Sequence, residues 1–452
     1  MDTTRRSFLA GSLGALAVGL AACSSSTSSS AGSSGATTGP ASSGVPTSGG
    51  AATVSAAVGG NLLVWDFGTS ALAKVDDANF AKLYPNVKVT HVAQPANNYT
   101  TLVQSALAAG KGPDVFTLHT GTELNTFIPA LVNISDRLTA DQKKYVLDYS
   151  GVSLNGDPSQ GVYGLPYQMN GLQFFYNKAL FSKAGLDPAS PPSSWDEFMT
   201  VCAKLKAAGI TPISAGNAEG LQASEYWGVL APSELTIAET LALSNGTMKY
   251  NSPKVKDAFE RYVAIAKAGY FETSWLSDGF FTQQVDLFSS GKAAMTMTLS
   301  NYVGVFATAL KSDLGVFVNP GLTAGTKSNY VPYAPGLGFC ISKRSGNQDA
   351  AYAWATYKTS MANQRADLDA LSTADTLQNG ALPTDIRVQP GAGALPSVTA
   401  LVQMLQTNKT HLPPSSKNPA VATALLQEGG SIVNGSKSID TLLNDLDKAQ
   451  SS

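Results

Sequence analysis

Tyr99-Thr100-Thr101-Leu102-Val103-Gln104-Ser105-Ala106-Leu107-Ala108-Ala109-Gly110-Lys111-Gly112-Pro113-Asp114-Val115-Phe116-Thr117-Leu118 reads as a helix, a stop and a strand. The helix runs from Tyr99 to Ala109, Gly110 ends it, and Pro113 marks the turn before the strand at Asp114–Leu118. Upstream, Leu62-Leu63-Val64-Trp65 and Val87-Lys88-Val89-Thr90 have the apolar and branched character of strands. Strand, helix and strand in this order predict an α/β sheet with parallel pairs, whose ligands lie at the carboxyl ends of the strands. Downstream, Ser194 with Glu197 forms a capping-box signal, and Phe198, Val201, Cys202, Leu205 and Ala208 follow at helical spacing up to Gly209. Ser252-Pro253 opens another helix that ends near Gly269. The second half is therefore richer in helices, and no repeat period emerges.

The N-terminus carries a different message. Arg5-Arg6 precedes an uncharged apolar run from Phe8 to Leu20, the pattern of a secretory signal. Thirteen residues rise roughly 20 Å as a helix, short of the ~30 Å hydrocarbon core. Leu20-Ala21-Ala22-Cys23 resembles the lipobox of bacterial lipoproteins, which implies a lipid on Cys23 and a signal peptide over 1–22. The arginine pair fits a twin-arginine leader or an ordinary positive n-region, and both routes end outside the cytoplasm. Residues 23–60, lacking charge and aromatic groups, are expected to be a flexible tether.

Beyond Cys23 only Cys202 and Cys340 remain, one in an apolar helix and one in an apolar strand, so both read as core. No thiol-rich metal site is possible, and no cofactor is expected. Of 30 basic and 32 acidic residues, Arg5, Arg6 and Asp2 leave with the signal, giving 28 and 31 and a net charge of −3. Such near-neutrality argues against nucleic acid and against strongly charged ligands as partners.

Several motifs in fixed order carry a family resemblance. They are Leu63-Val64-Trp65-Asp66; Ala108 to Val115 with its Gly110 and Pro113-Asp114; and Gly164-Leu165-Pro166 with Tyr176-Asn177-Lys178 and Ala184-Gly185-Leu186. Trp195 to Phe198, Gly291-Lys292-Ala293-Ala294-Met295, Gly336-Leu337-Gly338 with Ala350 to Trp354, and Gly380 to Pro383 complete the series. Together they make the chain similar to the extracellular solute-binding proteins of ABC importers, in the carbohydrate-binding cluster that includes the maltodextrin-binding protein. The resemblance implies an α/β fold of two lobes, the type II periplasmic-binding-protein architecture, with a hinge and a cleft between them. Motif positions put lobe one at about 61–168 plus 331–382 and lobe two at about 169–330 plus 383–452. The implied partners are a small carbohydrate, the transmembrane subunits of a permease, and the membrane through the lipid, with the protein itself a monomer.

A sugar ring offers an apolar face and a rim of hydroxyls, so aromatic plates and polar groups of fixed direction suit it. By position in the family pattern, Trp65 and Asp66 end the first strand at the cleft, and His119 and Thr120 lie in a ligand-contacting loop. Tyr167, Gln168 and Asn170 stand at the first crossing between lobes, where the maltodextrin-binding protein has an acidic contact and this chain has the Asn170 amide. Tyr226, Trp227 and Trp275 are the lobe-two aromatic candidates, with Tyr226 expected in the cleft and Trp227 divided between cleft and core. Asn301 and Tyr302 replace the family's usual tryptophan after the Met295 block, and Gly336 opens a turn that brings backbone amides close. Asp114 reads as a structural turn residue, and Lys343 with Arg344 as a solvated strand end.

An enzyme remains the rival class. A glycoside hydrolase needs two carboxylates a few ångströms apart, and no motif pairs Asp66, Glu123 or Glu225. No Gly-x-Ser-x-Gly elbow or His-Glu-x-x-His helix occurs. The same fold with a polyol phosphate or peptide as solute is the alternative within the binding class.

Overall fold

The structure, a computed structural model, describes residues 54–66, 70–94, 98–146, 149–320, 330–370, 382–407, 409–410 and 418–452. The signal, Cys23 and most of the expected tether lie outside these residues. The expected tether is nevertheless too long at its distal end. Val54 and Val58 pack, partly buried, against the first hydrophobic core, and β1 begins at Gly60, because the apolar contact of two valines offsets the loss of chain freedom.

The strands are β1 (Gly60–Asp66), β2 (Val87–Ala93), β3 (Val115–His119), β4 (Gly164–Asn177), β5 (Thr211–Ser214), β6 (Ala293–Leu299), β7 (Leu314–Phe317), β8 (Tyr330–Val331), β9 (Tyr333–Ile341) and β10 (Lys409–Thr410). Their main order is β2-β1-β3-β9-β4-β6-β5, with β7 also on β4 and β8 paired with β10. β1 runs parallel to β2 and β3, as the strand-helix-strand pattern predicts. β5 and β6 form a second parallel pair.

β4 joins the two halves. Gly164 to Gly171 pair antiparallel with β9, and Leu172 to Asn177 pair with β6 and β7. The change of partner falls between Gly171, opposite Tyr333, and Leu172, opposite Leu299. A Cβ on Gly171 would lie 2.6 Å from the Tyr333 ring, so only glycine lets the aromatic close over the crossing. The register also shifts around Tyr167, next to Pro166. Proline has no N–H to give a ladder, and a bulge is where a strand tolerates it.

Buried side chains fall into three clusters. The first combines Leu62, Val64, Phe116, Leu118, Phe339 and Cys340 with Ala350 to Ala355 of the helix Gln348–Lys358. The second gathers Phe174, Cys202, Tyr226, Tyr262, Met295 and Leu443. A third holds Met169, Phe175, Phe306, Tyr333, Leu368 and Leu401. Phe174 and Phe175 serve different clusters because successive strand residues face opposite sides of the sheet. Cys202 and Cys340 are buried free thiols in separate cores, and burial pushes both thiols up.

The expected helices form as Tyr99–Ala108, Trp195–Ala207 and Pro253–Lys267. Ser194 Oγ accepts from Glu197 N, while the Glu197 carboxylate accepts from Ser193 N at 2.8 Å, one residue beyond the expected reciprocal partner. Asp114 is structural, its Oδ2 accepting from Leu63 N at 2.8 Å.

Candidate functional site

Parallel strands end on one edge, and here two such edges converge. β1 and β3 finish at Asp66 and His119, and β9, running the other way, enters beside them, with Thr120 N donating to Gly336 O at 3.3 Å. In the other half, β6 finishes at Leu299, and Ser300 Oγ accepts from Gly171 N at 3.1 Å in a buried contact. The carboxyl ends of both parallel sets therefore meet where β4 and β9 cross, the position at which α/β folds hold ligands.

Asn170 and Asn301 bring buried amide oxygens to this place, and neither oxygen has a hydrogen-bond partner among the described residues. The Asn170 amide lies against Gly336, where an added Cβ would stand 2.3 Å from its Nδ2. Tyr302 is half-buried and stacks on Phe306 at 6.0 Å. Burial and then the nearby Glu219 carboxylate push its hydroxyl pKa up. Trp65 is half-buried against the first core, and its carbonyl accepts from Tyr99 Oη at 2.9 Å. His119 is exposed and contacts Glu123 at 2.7 Å.

Other expected contacts are engaged elsewhere. Tyr226 is 0% exposed, packed among Phe174, Tyr262 and Phe271. Trp227 stacks on Phe259 at 5.3 Å, and Trp275 packs on Phe271 at 4.8 Å, both buried. These three are core residues of the second half. The helix Leu221–Glu234 is enclosed on nearly every side, so its aromatics are taken up by packing. Tyr167, displaced by the bulge, turns into the first half: its ring lies 4.6 Å from Phe339 and under the Lys358 ammonium, and its hydroxyl is 3.4 Å from Asp367. Gln168 is buried. Asp66 sits 2.9 Å from His91, a partner that lies 25 residues along the chain and is invisible to motif spacing.

The converging edges bring residues that spacing did not single out. After β5, the segment 215–220 is pinned to 272–283: Glu272 accepts from Ala215 N, Asn217 N donates to Trp275 O, and Glu219 accepts from Phe280 N at 2.8 Å. This leaves Glu219 exposed and Phe281 46% exposed on the same rim. One turn into the following helix, Gln222 and Glu225 carry a further donor and acceptor. The rule that found His119 after β3 applies equally to the residues after β5, and β5 is only four residues long, too short to announce itself.

A separate cavity of about 370 Å³ lies at the other end of β9, lined by Leu107, Phe127, Pro129, Lys343 and Arg344. There Arg344 Nη1 donates to Leu107 O and Lys343 Nζ to Pro129 O. Both residues are exposed, as expected of a solvated strand end, and their cations cap carbonyls there. Among the described residues no group of three or more His, Cys, Asp or Glu could hold a metal ion.

Residues 66–365 match the sequence pattern of the bacterial extracellular solute-binding proteins. The chain belongs to that family. This solute-binding protein is 26% identical over 385 residues to an uncharacterized ABC transporter extracellular-binding protein of Pyrococcus horikoshii, covering 80% of this chain and 79% of that one. Against the sn-glycerol-3-phosphate-binding periplasmic protein of Brucella abortus it is 27% identical over 189 residues, 41% of this chain and 40% of the relative. Its fold matches a chitin oligosaccharide binding protein with a TM-score of 0.71 at 21% identity, covering 87% of this chain and 98% of the other. The two-lobed type II periplasmic-binding-protein fold is thereby the fold of this protein, and the family makes it an exported solute-binding protein.

Proposed function

We propose that this solute-binding protein captures a sugar or oligosaccharide by closing its lobes and delivers it to a membrane permease, held at the membrane by lipid on Cys23. The observation that carries the reading is the pair of buried, partnerless amide oxygens of Asn170 and Asn301 where the two strand-end edges meet. A buried acceptor without a partner costs about 1–3 kcal/mol, which a sugar hydroxyl would recover on binding. Tyr302 beside them offers an apolar face for a ring, and Trp65, Thr120 and Gly336 line the opposite rim. A solute that touches both rims favours closure by the contacts it gains there. In this reading lobe one comprises about 61–168 plus 331–382, and lobe two about 169–330 plus 383–452.

A thermal-shift screen of the mature protein against sugars, peptides and glycerol phosphate tests the reading. A bound sugar at 100 times Kd stabilises by about 2.7 kcal/mol. Shifts with peptides or glycerol phosphate and none with any sugar would overturn it. For the anchor, Cys23→Ala should release the protein from the membrane fraction into the medium. Continued retention would show that the membrane association does not depend on Cys23.

A further inference from the structure

Gln222 is 0% exposed, and its Oε1 accepts from Gly216 N at 3.0 Å, yet its Nε2 has no partner. Glu225 lies three residues on, so the two side chains stand about 60° apart on one flank of the helix Leu221–Glu234. Its carboxylate makes no hydrogen bond or ion pair with any described residue, and burial alone raises its pKa to about 7. Ala223, Tyr226, Trp227, Val229, Leu230 and Ala231 of this helix belong to the second core, whereas Glu225 keeps partial exposure on the flank it shares with Gln222. The helix packs on β4 and β8, the strands that lead into the crossing. A donor and an acceptor one turn apart, neither satisfied and neither bonded to the other, are arranged for a third group.

Charge says which group. The described segments that reach the crossing from the two rims, 65–66, 119–123, 166–171, 215–225, 275–283, 300–302 and 330–336, contain Asp66, Glu123, Glu219, Glu225 and Asp278, one histidine, His119, and no Lys or Arg. A carboxylate removed from water without a countercharge is costly, and hydroxyls compensate it less than a cation does. An anionic solute would meet repulsion. We infer that Gln222 and Glu225 form a subsite on the second lobe for a protonated amine carried by the captured saccharide, so that the solute class is an amino sugar rather than a neutral or phosphorylated one. This rests on the sugar-capture reading proposed above.

Calorimetry on the mature chain, with glucosamine oligomers, their N-acetylated forms, neutral glucose oligomers of equal length and spermidine, tests the inference. The glucosamine oligomer should bind at least about tenfold more tightly than its acetylated form, the worth of one charge-assisted hydrogen bond. Glu225→Gln should bring that ratio close to one, and Glu225→Asp, which withdraws the carboxylate by one methylene, should give an intermediate ratio. Unliganded thermal midpoints establish that each variant folds, and should Glu225→Gln fail to fold, the Glu225→Asp ratio decides. Equal affinity for the two forms, or a ratio that neither variant changes, overturns the amine subsite and leaves sugar capture standing. Binding of spermidine with no saccharide bound at all sinks sugar capture itself.

Discussion

His91 Nε2 lies 2.9 Å from Asp66 Oδ2, and its Nδ1 lies 3.3 Å from Asp77 Oδ2. The imidazole is thus clamped between two carboxylates beneath the end of β1, with Trp354 Nε1 donating to Asp77 at 3.2 Å. Burial opposes the charged imidazole, and the contacts with Asp66 and Asp77 outweigh it, carrying His91 to about 9. A pKa raised in the folded state contributes stability that is fully present below about pH 6.5 and is lost as pH rises through about 9. His91→Gln should therefore cost up to about 3 kcal/mol at pH 6 and much less at pH 9.5. Urea unfolding of wild type and variant across that range measures it. A gap independent of pH would show that the ion pairs do not set the His91 charge.

Two glycines at the crossing should behave differently. Gly171→Ala drives a Cβ into the Tyr333 ring, which is fully enclosed and cannot move cheaply, so a loss of about 1–3 kcal/mol is expected. Gly336→Ala meets only the end of the Asn170 side chain. Its main effect should be weaker solute binding with a thermal midpoint close to wild type. Reversed outcomes would mean the two contacts have been assigned the wrong rigidity.

Tyr226→Ala and Trp227→Ala should each destabilise by about 3–5 kcal/mol, the usual cost of truncating a buried aromatic. Denaturant midpoints measure this. Weakened binding with undiminished stability would return either ring to the cleft.

Asn170→Ala and Tyr302→Ala should weaken solute binding by about five- to a hundredfold, a loss of 1–3 kcal/mol. Both variants should keep the wild-type unfolding midpoint within about 1 kcal/mol, since neither side chain is a core anchor. Unchanged affinity in both would remove the pair from the site.

Lys358 is buried between Asp76 and Asp367, its Nζ 2.5 and 3.7 Å from them. Lys358→Met would leave two carboxylates enclosed without a cation, at a cost of about 3–5 kcal/mol. Because Asp367 also holds the Tyr167 hydroxyl, crystallography of the variant should show Tyr167 rotated from its place on Phe339. A variant as stable as wild type would mean the carboxylates reach water or shed their charge.

The α/β pattern was legible because β1 and β3 carry apolar runs, β2 alternates apolar and polar residues, and a helix with a glycine stop separates β2 from β3. Asn170, Asn301 and Gly336 could be nominated because each adjoins a motif whose strand or turn is locally determined. Tyr226 and Trp275 could not be assigned in the same way. An aromatic beside a cleft and one beneath it look alike until the helices Leu221–Glu234 and Pro253–Lys267 are packed together. Burial is a property of the assembled layers, and spacing along one helix gives only the face.

The sequence alone determined the alternation of strands and helices and the order of motifs that marks a solute-binding protein, since each depends on neighbours within a few residues. Only the tertiary structure decided that Asp66 belongs to His91, that Tyr167 belongs to Asp367 and Lys358, and that Gln222 and Glu225 stand unsatisfied beside the crossing. Those outcomes turn on which charges and donors are brought together from distant segments, and on how much water each one loses when the two halves fold.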